Sequence, residues 1–261
     1  MEAAVESVLL NADYFVFMLF RVGALIIASP VFGRNVIPGR VKIALMASLA
    51  FLFFTATPQT VAIEYTSLIG FALIAAKEML LGIALAFVTN MFFSLVFVSG
   101  QLIDTQIGFG IAQVYDPQSG AQVPILGNMM NMILLIVFFG TDGHMRLIEI
   151  IYVTLHKLPV GSLGFTPAIG LAALEIFLRS FMLGVMVAMP VVASGLILEF
   201  AFGVLMRTVP QLNVFVVGVP IKMLVGFLVL MVSIPAFVNF SSNIFSEMFS
   251  AVEKMFAGFL P

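Results

Sequence analysis

The chain of 261 residues has no cysteine, and only 9% of it is Asp, Glu, Lys or Arg. Without thiols there is no disulfide framework, no thiolate nucleophile and no cysteine metal site. Soluble domains carry about 25% charged residues, so this chain holds no soluble domain of its own. Its net charge of -2 leaves out the basic footprint of a nucleic-acid binder. Glu2, Glu6 and Asp13 precede the first apolar stretch, with no Lys or Arg beside them. A cleaved signal peptide has a basic flank, so the apolar N-terminal segment is expected to be retained. The only histidines, His144 and His156, come without HExxH, a paired-His helix or an acid cluster, so no metal site is expected. His144 is expected to satisfy a turn. Neither a G-x-S-x-G elbow nor a P-loop is present. No catalytic constellation remains, so the chain is not expected to be an enzyme or to bind a cofactor. Strands of period two with recurring turns are missing as well, which argues against an outer-membrane barrel.

What the chain has is apolar: 62% hydrophobic residues, 28 of them Phe. It is a membrane-class, all-α protein. A spanning helix needs about 20 residues. Apolar stretches run over 14–32 (with Arg21 and Pro30 inside), 43–57, 68–99, 123–139, 147–155, 169–206 and 214–237. Lys77 and Glu78 are expected to break the third early, Pro190 to interrupt the sixth, and Pro220 and Pro235 fall in the last. The helices are therefore expected to be short, proline-broken and poorly matched to a bilayer, with protein rather than lipid as their main partner. In the tail, 239–261, Phe245, Met248, Phe249, Val252 and Phe256 recur at helical spacing, with Glu253 and Lys254 on other faces, as in an amphipathic helix. The loop 33–42 holds Arg34, Arg40 and Lys42 and no acid. By the positive-inside rule it faces the cytoplasm and the N-terminus lies outside.

The chain is organised around residues 99–124. Gly100, Gly108, Gly110, Gly120, Pro117 and Pro124 argue against one continuous helix there. A solvated linker would be polar, yet this one carries Ile103, Ile107, Phe109, Ile111, Val114 and Tyr115. Irregular backbone in an apolar protein survives where it is buried or lines a watery cavity. The segment is then a flexible apolar insert in a polar passage, or a re-entrant connection that simply packs. By alternation it should be cytoplasmic, yet it holds Asp104 and Asp116 and no base, so the charge rule fails here. Met129 and Met130 follow it; they are plain core or, beside a pore, a deformable seal.

Charges inside apolar helices usually face a bundle interior, a partner or water. Glu175 and Arg179 are spaced to pair within one helix. Lys77 and Glu78 are adjacent and point about 100° apart, so Lys77 is free to snorkel and Glu78 still needs a partner. Glu199 and Arg207 are too far apart to pair within a helix. Glu199 therefore meets a base on another helix or subunit, or lines a wet cavity. In the turn 207–213, Pro210 is expected to stop one helix and Asn213 to cap the next, with Arg207 on exposed carbonyls or on a partner acid.

These residues resemble a known family. Its marks are Arg21 with Ser29, Pro30, Val31, Phe32 and Gly33, then Pro38 and Lys42. The insert adds Gly100, Gln101, Asp104, Gln106, Gly108, Phe109, Ala112, Asp116 and Pro117. Gly143, His144, Leu158 and Pro159 follow. The most specific run is Arg207-Thr208-Val209-Pro210-Gln211-Leu212-Asn213-Val214-Phe215, continuing to Gly218, Pro220, Ile221 and Lys222. Each piece is short, but their order and spacing over the whole chain resemble the FliR family, the R subunits of the type III secretion export apparatus, in its flagellar branch. Gly110 departs from the pattern, where another small residue is common, which loosens the loop.

The resemblance implies a FliP-like helical part over 1–170 fused to a FliQ-like hairpin and amphipathic helix over 171–261. It implies FliP and FliQ as partners in a helical export gate of the bacterial inner membrane, in the flagellar basal body, with FlhB and FlhA nearby. Unfolded flagellar proteins pass outward through such a gate. Residues 106–122 match the loop that plugs the channel, with Gln106, Gly108, Phe109, Gly110, Ile111, Val114, Tyr115, Asp116 and Pro117, and with Met129 and Met130 beside it. Arg207, Pro210, Asn213, Glu199 and Lys222 are its assembly residues. A secondary transporter, with Glu199, Lys222 and Lys77 as an ion path, would instead show two related halves with broken helices. Only a faint echo of that exists, a Pro followed by a base at Pro38–Lys42 and at Pro220–Lys222.

Overall fold

The computed structural model describes residues 11–57, 65, 67–109, 124–164, 166–209 and 214–259. Seven helices carry these residues, with no strand among them: α1 Ala12–Ala28, α2 Gly39–Ala56, α3 Leu68–Ile107, α4 Ile125–Gly140, α5 Gly143–Lys157, α6 Ala168–Thr208 and α7 Val214–Ala257.

α1 stops at Ser29, which is extended ahead of Pro30, a residue that disfavours helix before it. The Ser29 hydroxyl accepts the amide N–H of Val31 at 3.2 Å. Lys42, in the first turn of α2, donates to the carbonyl of Gly33 at 2.7 Å. This bond ties the basic loop to the helix it enters.

The expectation of short, broken helices is overturned. α3, α6 and α7 are 40, 41 and 44 residues long. Lys77 and Glu78 do not break α3, because Glu78 is fully buried against a base (below) rather than forced out of the helix. Gly100 lies inside α3 as well, so the insert begins eight residues later than its glycines suggest. Pro190 lies inside α6, and Pro220 and Pro235 lie inside α7. Each proline removes one helical hydrogen bond. In apolar helices neighbouring groups and local adjustment re-satisfy what is lost, and a long helix continues on either side. The poor match to a bilayer falls with the same observation. Residues Gly39–Ala56, Leu68–Ile107, Ala168–Thr208 and Val216–Ala257 are each long and apolar enough to cross a membrane.

Two compact units emerge. The first comprises residues 1–91, 142–176 and 247–261, the second residues 92–141 and 177–246. In the first, α1 and α2 pack through aromatic rings: Tyr14 and Phe15 lie 6.2 and 5.9 Å from Phe54. Phe17 meets Phe71 of α3 at 4.7 Å. The end of α7 closes this unit, with Met248, Phe249, Val252 and Phe256 buried while Glu253 and Lys254 stay exposed. Arg146 of α5 caps that face, its guanidinium 4.6 Å above the Phe249 ring.

The second unit has a phenylalanine triad at its centre. Phe93 of α3, Phe138 of α4 and Phe245 of α7 lie 5.4, 6.3 and 5.3 Å apart. Such pairs are worth about 0.5–1.5 kcal/mol each beyond the area they bury.

Candidate functional site

The first unit carries a buried charge network. Arg21 Nε donates to Glu78 Oε2 at 2.6 Å, with both side chains at 1% exposure or less. Arg21 Nη1 also donates to the carbonyls of Thr154 and Leu158, at 3.1 and 3.0 Å. Those oxygens belong to the C-terminal end of α5, where a cation is favoured; the Thr154 carbonyl also accepts the Leu158 amide N–H at 3.0 Å. The second oxygen of Glu78 accepts the amide N–H of Gly161 at 3.0 Å. One ion pair thus joins α1, α3, the end of α5 and the loop after it. Glu78 needed a partner on the sequence alone; which base supplies it depends on the fold.

The second unit builds the roots of the central insert. Near the end of α3, Asp104 is buried and its Oδ1 accepts the amide N–H of Leu126 at 3.4 Å. That amide lies in the first turn of α4, where free N–H groups favour an acid. A turn earlier, α3 and α4 touch backbone to backbone. A Cβ built on Gly100 would stand 2.2 Å from Cα of Gly127. The N–H of Gly108 bonds the Asp104 carbonyl at 3.1 Å and ends the helix with φ at 101°, in the region that only glycine enters without strain. Phe109 follows, its ring 5.7 Å from Phe227 of α7 and nearly perpendicular to it, at 77°. Gln106 lies over Gly195 of α6, within 3.2 Å of where a Cβ would be.

Of the proposed closure residues, Gln106, Gly108 and Phe109 thus gather where α3 ends. Met130 is buried in α4, and Met129 is half-buried beside it. Gly110, Ile111, Val114, Tyr115, Asp116 and Pro117 lie outside the described residues.

Among the proposed assembly residues, Lys222 of α7 donates to Glu199 Oε1 of α6. The Glu199 side chain remains 51% exposed. Around the pair the same helices expose Ile197, Phe200, Val216 and Leu224, so these charges sit on an apolar outer surface. Arg207 is exposed in the last turn of α6, where a cation is favoured. Pro210 and Asn213 lie outside the described residues. Glu175, expected beside Arg179, accepts from Lys254 of α7 at 2.9 Å. Among the described residues no three His, Cys, Asp or Glu side chains gather as a metal cluster.

Sequence reasoning missed the Arg21–Glu78 pair and the Gly100–Gly127 contact. Two opposite charges, each without a local partner in an apolar helix, were the signal for the first. The second leaves no signal, because a glycine in a helix reads only as a weak position.

The chain is similar over most of its length to proteins of known naming. The sequence model of the family described as bacterial export proteins, family 1, matches residues 12–248. The flagellar biosynthetic protein FliR of Escherichia coli K12 is 33% identical over 233 residues, 89% of this chain and 88% of that protein. Its namesake in Bacillus subtilis 168 is 31% identical over 248 residues, 93% of this chain and 94% of that protein. The Aquifex aeolicus FliR is 28% identical, with 92% of each chain covered. A match of this extent, on a chain whose long helices are apolar enough to cross a membrane, establishes that the protein belongs to the bacterial export proteins of family 1, the FliR family.

Proposed function

We propose that this chain is a channel-forming subunit of the flagellar type III protein export gate, passing unfolded flagellar proteins across the inner membrane. Family membership supports a role in the flagellar export apparatus, and four membrane-length apolar helices support the membrane location. In this reading residues 1–170 are the FliP-like part and 171–261 the FliQ-like hairpin. FliP and FliQ are its neighbours in the gate, FlhB and FlhA lie close by, and the N-terminus is periplasmic. The chain makes and breaks no bond; the energy of transport comes from its partners.

Residues 106–122 are the plug. The observation that carries this is the construction of its roots. α3 and α4 are locked together at Gly100–Gly127 and at Asp104–Leu126. The chain then leaves α3 at Gly108, through a backbone state open to glycine. Roots fixed in this way hold α3 and α4 together independently of the segment between them. An apolar body of Phe109, Ile111, Val114 and Tyr115 excludes water from a narrow channel, as hydrophobic constrictions do.

The outer surface supports the oligomeric part of the reading. Ile197, Phe200, Val216 and Leu224 flank a charge pair, and a pair of this kind fits burial under another subunit better than exposure to lipid. The test is gentle purification of the tagged chain and mass measurement of what accompanies it. FliP and FliQ in the complex are expected; recovery as a lone monomer or homodimer rejects the reading.

A further inference from the structure

The second unit contains a cavity of about 250 Å³ between α4, α6 and α7. Its inner wall is Met130, Val191, Leu230 and Phe237, all buried. Its mouth is rimmed by Met186, Pro190 and Ala236, all exposed. The single polar side chain in the lining, Ser233, already donates its hydroxyl to the carbonyl of Val229 at 2.7 Å.

This lining decides what the cavity holds. A buried water needs two to four polar partners, and a lone, already committed hydroxyl does not supply them. A dry void forfeits dispersion contacts along its whole lining. An engineered apolar cavity of about 150 Å³ takes up benzene, so this larger space accepts a longer apolar body. It falls short of the roughly 300–1,000 Å³ of pockets that take drug-sized ligands with polar groups. The occupant is therefore slender, flexible and wholly apolar. The mouth says where it comes from, because every rim residue is apolar and stands on helices of membrane-crossing length and composition. Proline contributes at the entrance: Pro190 leaves the carbonyl of Met186, one turn back in α6, without its helical N–H, loosening the helix at the rim.

The geometry points to a binding site for the acyl chain of a membrane lipid, inserted past Met186 and Ala236 to rest against Phe237. Of the seven wall and rim side chains, Met130, Met186 and Leu230 are flexible aliphatic chains unbranched at Cβ, and methionine in particular adapts to an irregular guest. No described residue of 106–109 lines the cavity, which shares only Met130 with the proposed closure, so the proposal does not rest on the plug.

The test uses the assembled membrane complex, reconstituted in phosphatidylethanolamine and phosphatidylglycerol vesicles with a minor phospholipid whose acyl chain carries a diazirine. After irradiation, adducts are mapped by mass spectrometry. They are expected to concentrate on peptides holding Met130, Met186 and Phe237. Ala236→Phe, which blocks the mouth, is expected to lower that labelling several-fold while labelling at exposed Ile43 and Leu52 of α2 is unchanged. Ser233→Leu fills the cavity from within and serves where Ala236→Phe does not assemble. Wild-type labelling spread evenly over the exposed faces overturns the proposal, as does cavity labelling indifferent to both substitutions. Labelling of the isolated chain but not of the complex assigns the cavity to a companion subunit and overturns it equally.

Discussion

Arg21 and Glu78 are 57 residues apart in the chain and 2.6 Å apart in the fold, with neither side chain more than 1% exposed. Taking two charges out of water is costly, and their attraction offsets that cost only when both are present and well bonded. Removing one leaves the other buried alone, and removing Arg21 also takes the side-chain donor from the Leu158 carbonyl. Arg21→Ala or Glu78→Ala is therefore expected to destabilise the first unit by about 3–5 kcal/mol. The double replacement Arg21→Met, Glu78→Leu is expected to cost less than either. Protease resistance of the detergent-extracted chain reads both. A single variant as resistant as wild type would show that the pair carries no such weight.

The close crossing of α3 and α4 gives a steric prediction. A side chain at Gly100 meets Gly127 backbone at 2.2 Å, whereas nothing lies within 4 Å of a Cβ at Gly140. Gly100→Val is expected to force the helices apart and lower the amount of intact complex sharply. Gly140→Ala, at the end of the same α4, is expected to be neutral. The yield of complex per amount of chain made is the readout, and equal yields from the two variants would contradict the contact.

Glu199 and Lys222 give a charge-reversal test. Left in water, an exposed pair contributes about 0–1 kcal/mol; covered by a partner, breaking it costs about 3–5 kcal/mol. Glu199→Lys is expected to block assembly, and Lys222→Glu in the same chain to restore part of it. Normal assembly and export by Glu199→Leu would remove the reason to place this pair under a partner.

Arg207 stands exposed at the C-terminal end of α6. Arg207→Ala is expected to lower incorporation into the complex more than it lowers synthesis of the chain. Quantifying the chain in membranes and in purified complex separates the two effects. A fall of equal size in both places the arginine's role in the chain itself.

Shortening residues 108–115 tests the plug. The locked roots at Gly100–Gly127 and Asp104–Leu126 lie outside the deletion, so assembly is expected to survive. The assembled complex is expected to leak ions or small dyes at rest, seen as raised membrane conductance or dye entry. A shortened gate as tight as wild type leaves the segment as packing and nothing more.

Much of this was legible in the amino-acid order. The low charge and the apolar content marked a membrane-class chain. Periodicity placed helices, and Phe245, Met248, Phe249, Val252 and Phe256 read correctly as one buried face. The order of short motifs from Arg21 to Lys222 pointed to the family. Helix continuity was not legible. Pro190, Pro220, Pro235, Lys77 and Gly100 are each local penalties, and a local reading counts each as a break. Only tertiary packing decided otherwise, because a long helix loses one hydrogen bond at a proline and keeps the rest. Partner choice was beyond reach for the same reason. Glu78 demanded a base, but Arg21 becomes that base only when α1 lies against α3 and the end of α5 supplies two further acceptors. Gly100 and Gly127 reverse the usual value of a side chain: what matters is the Cβ that neither has, and such an absence acquires meaning only when two backbones meet.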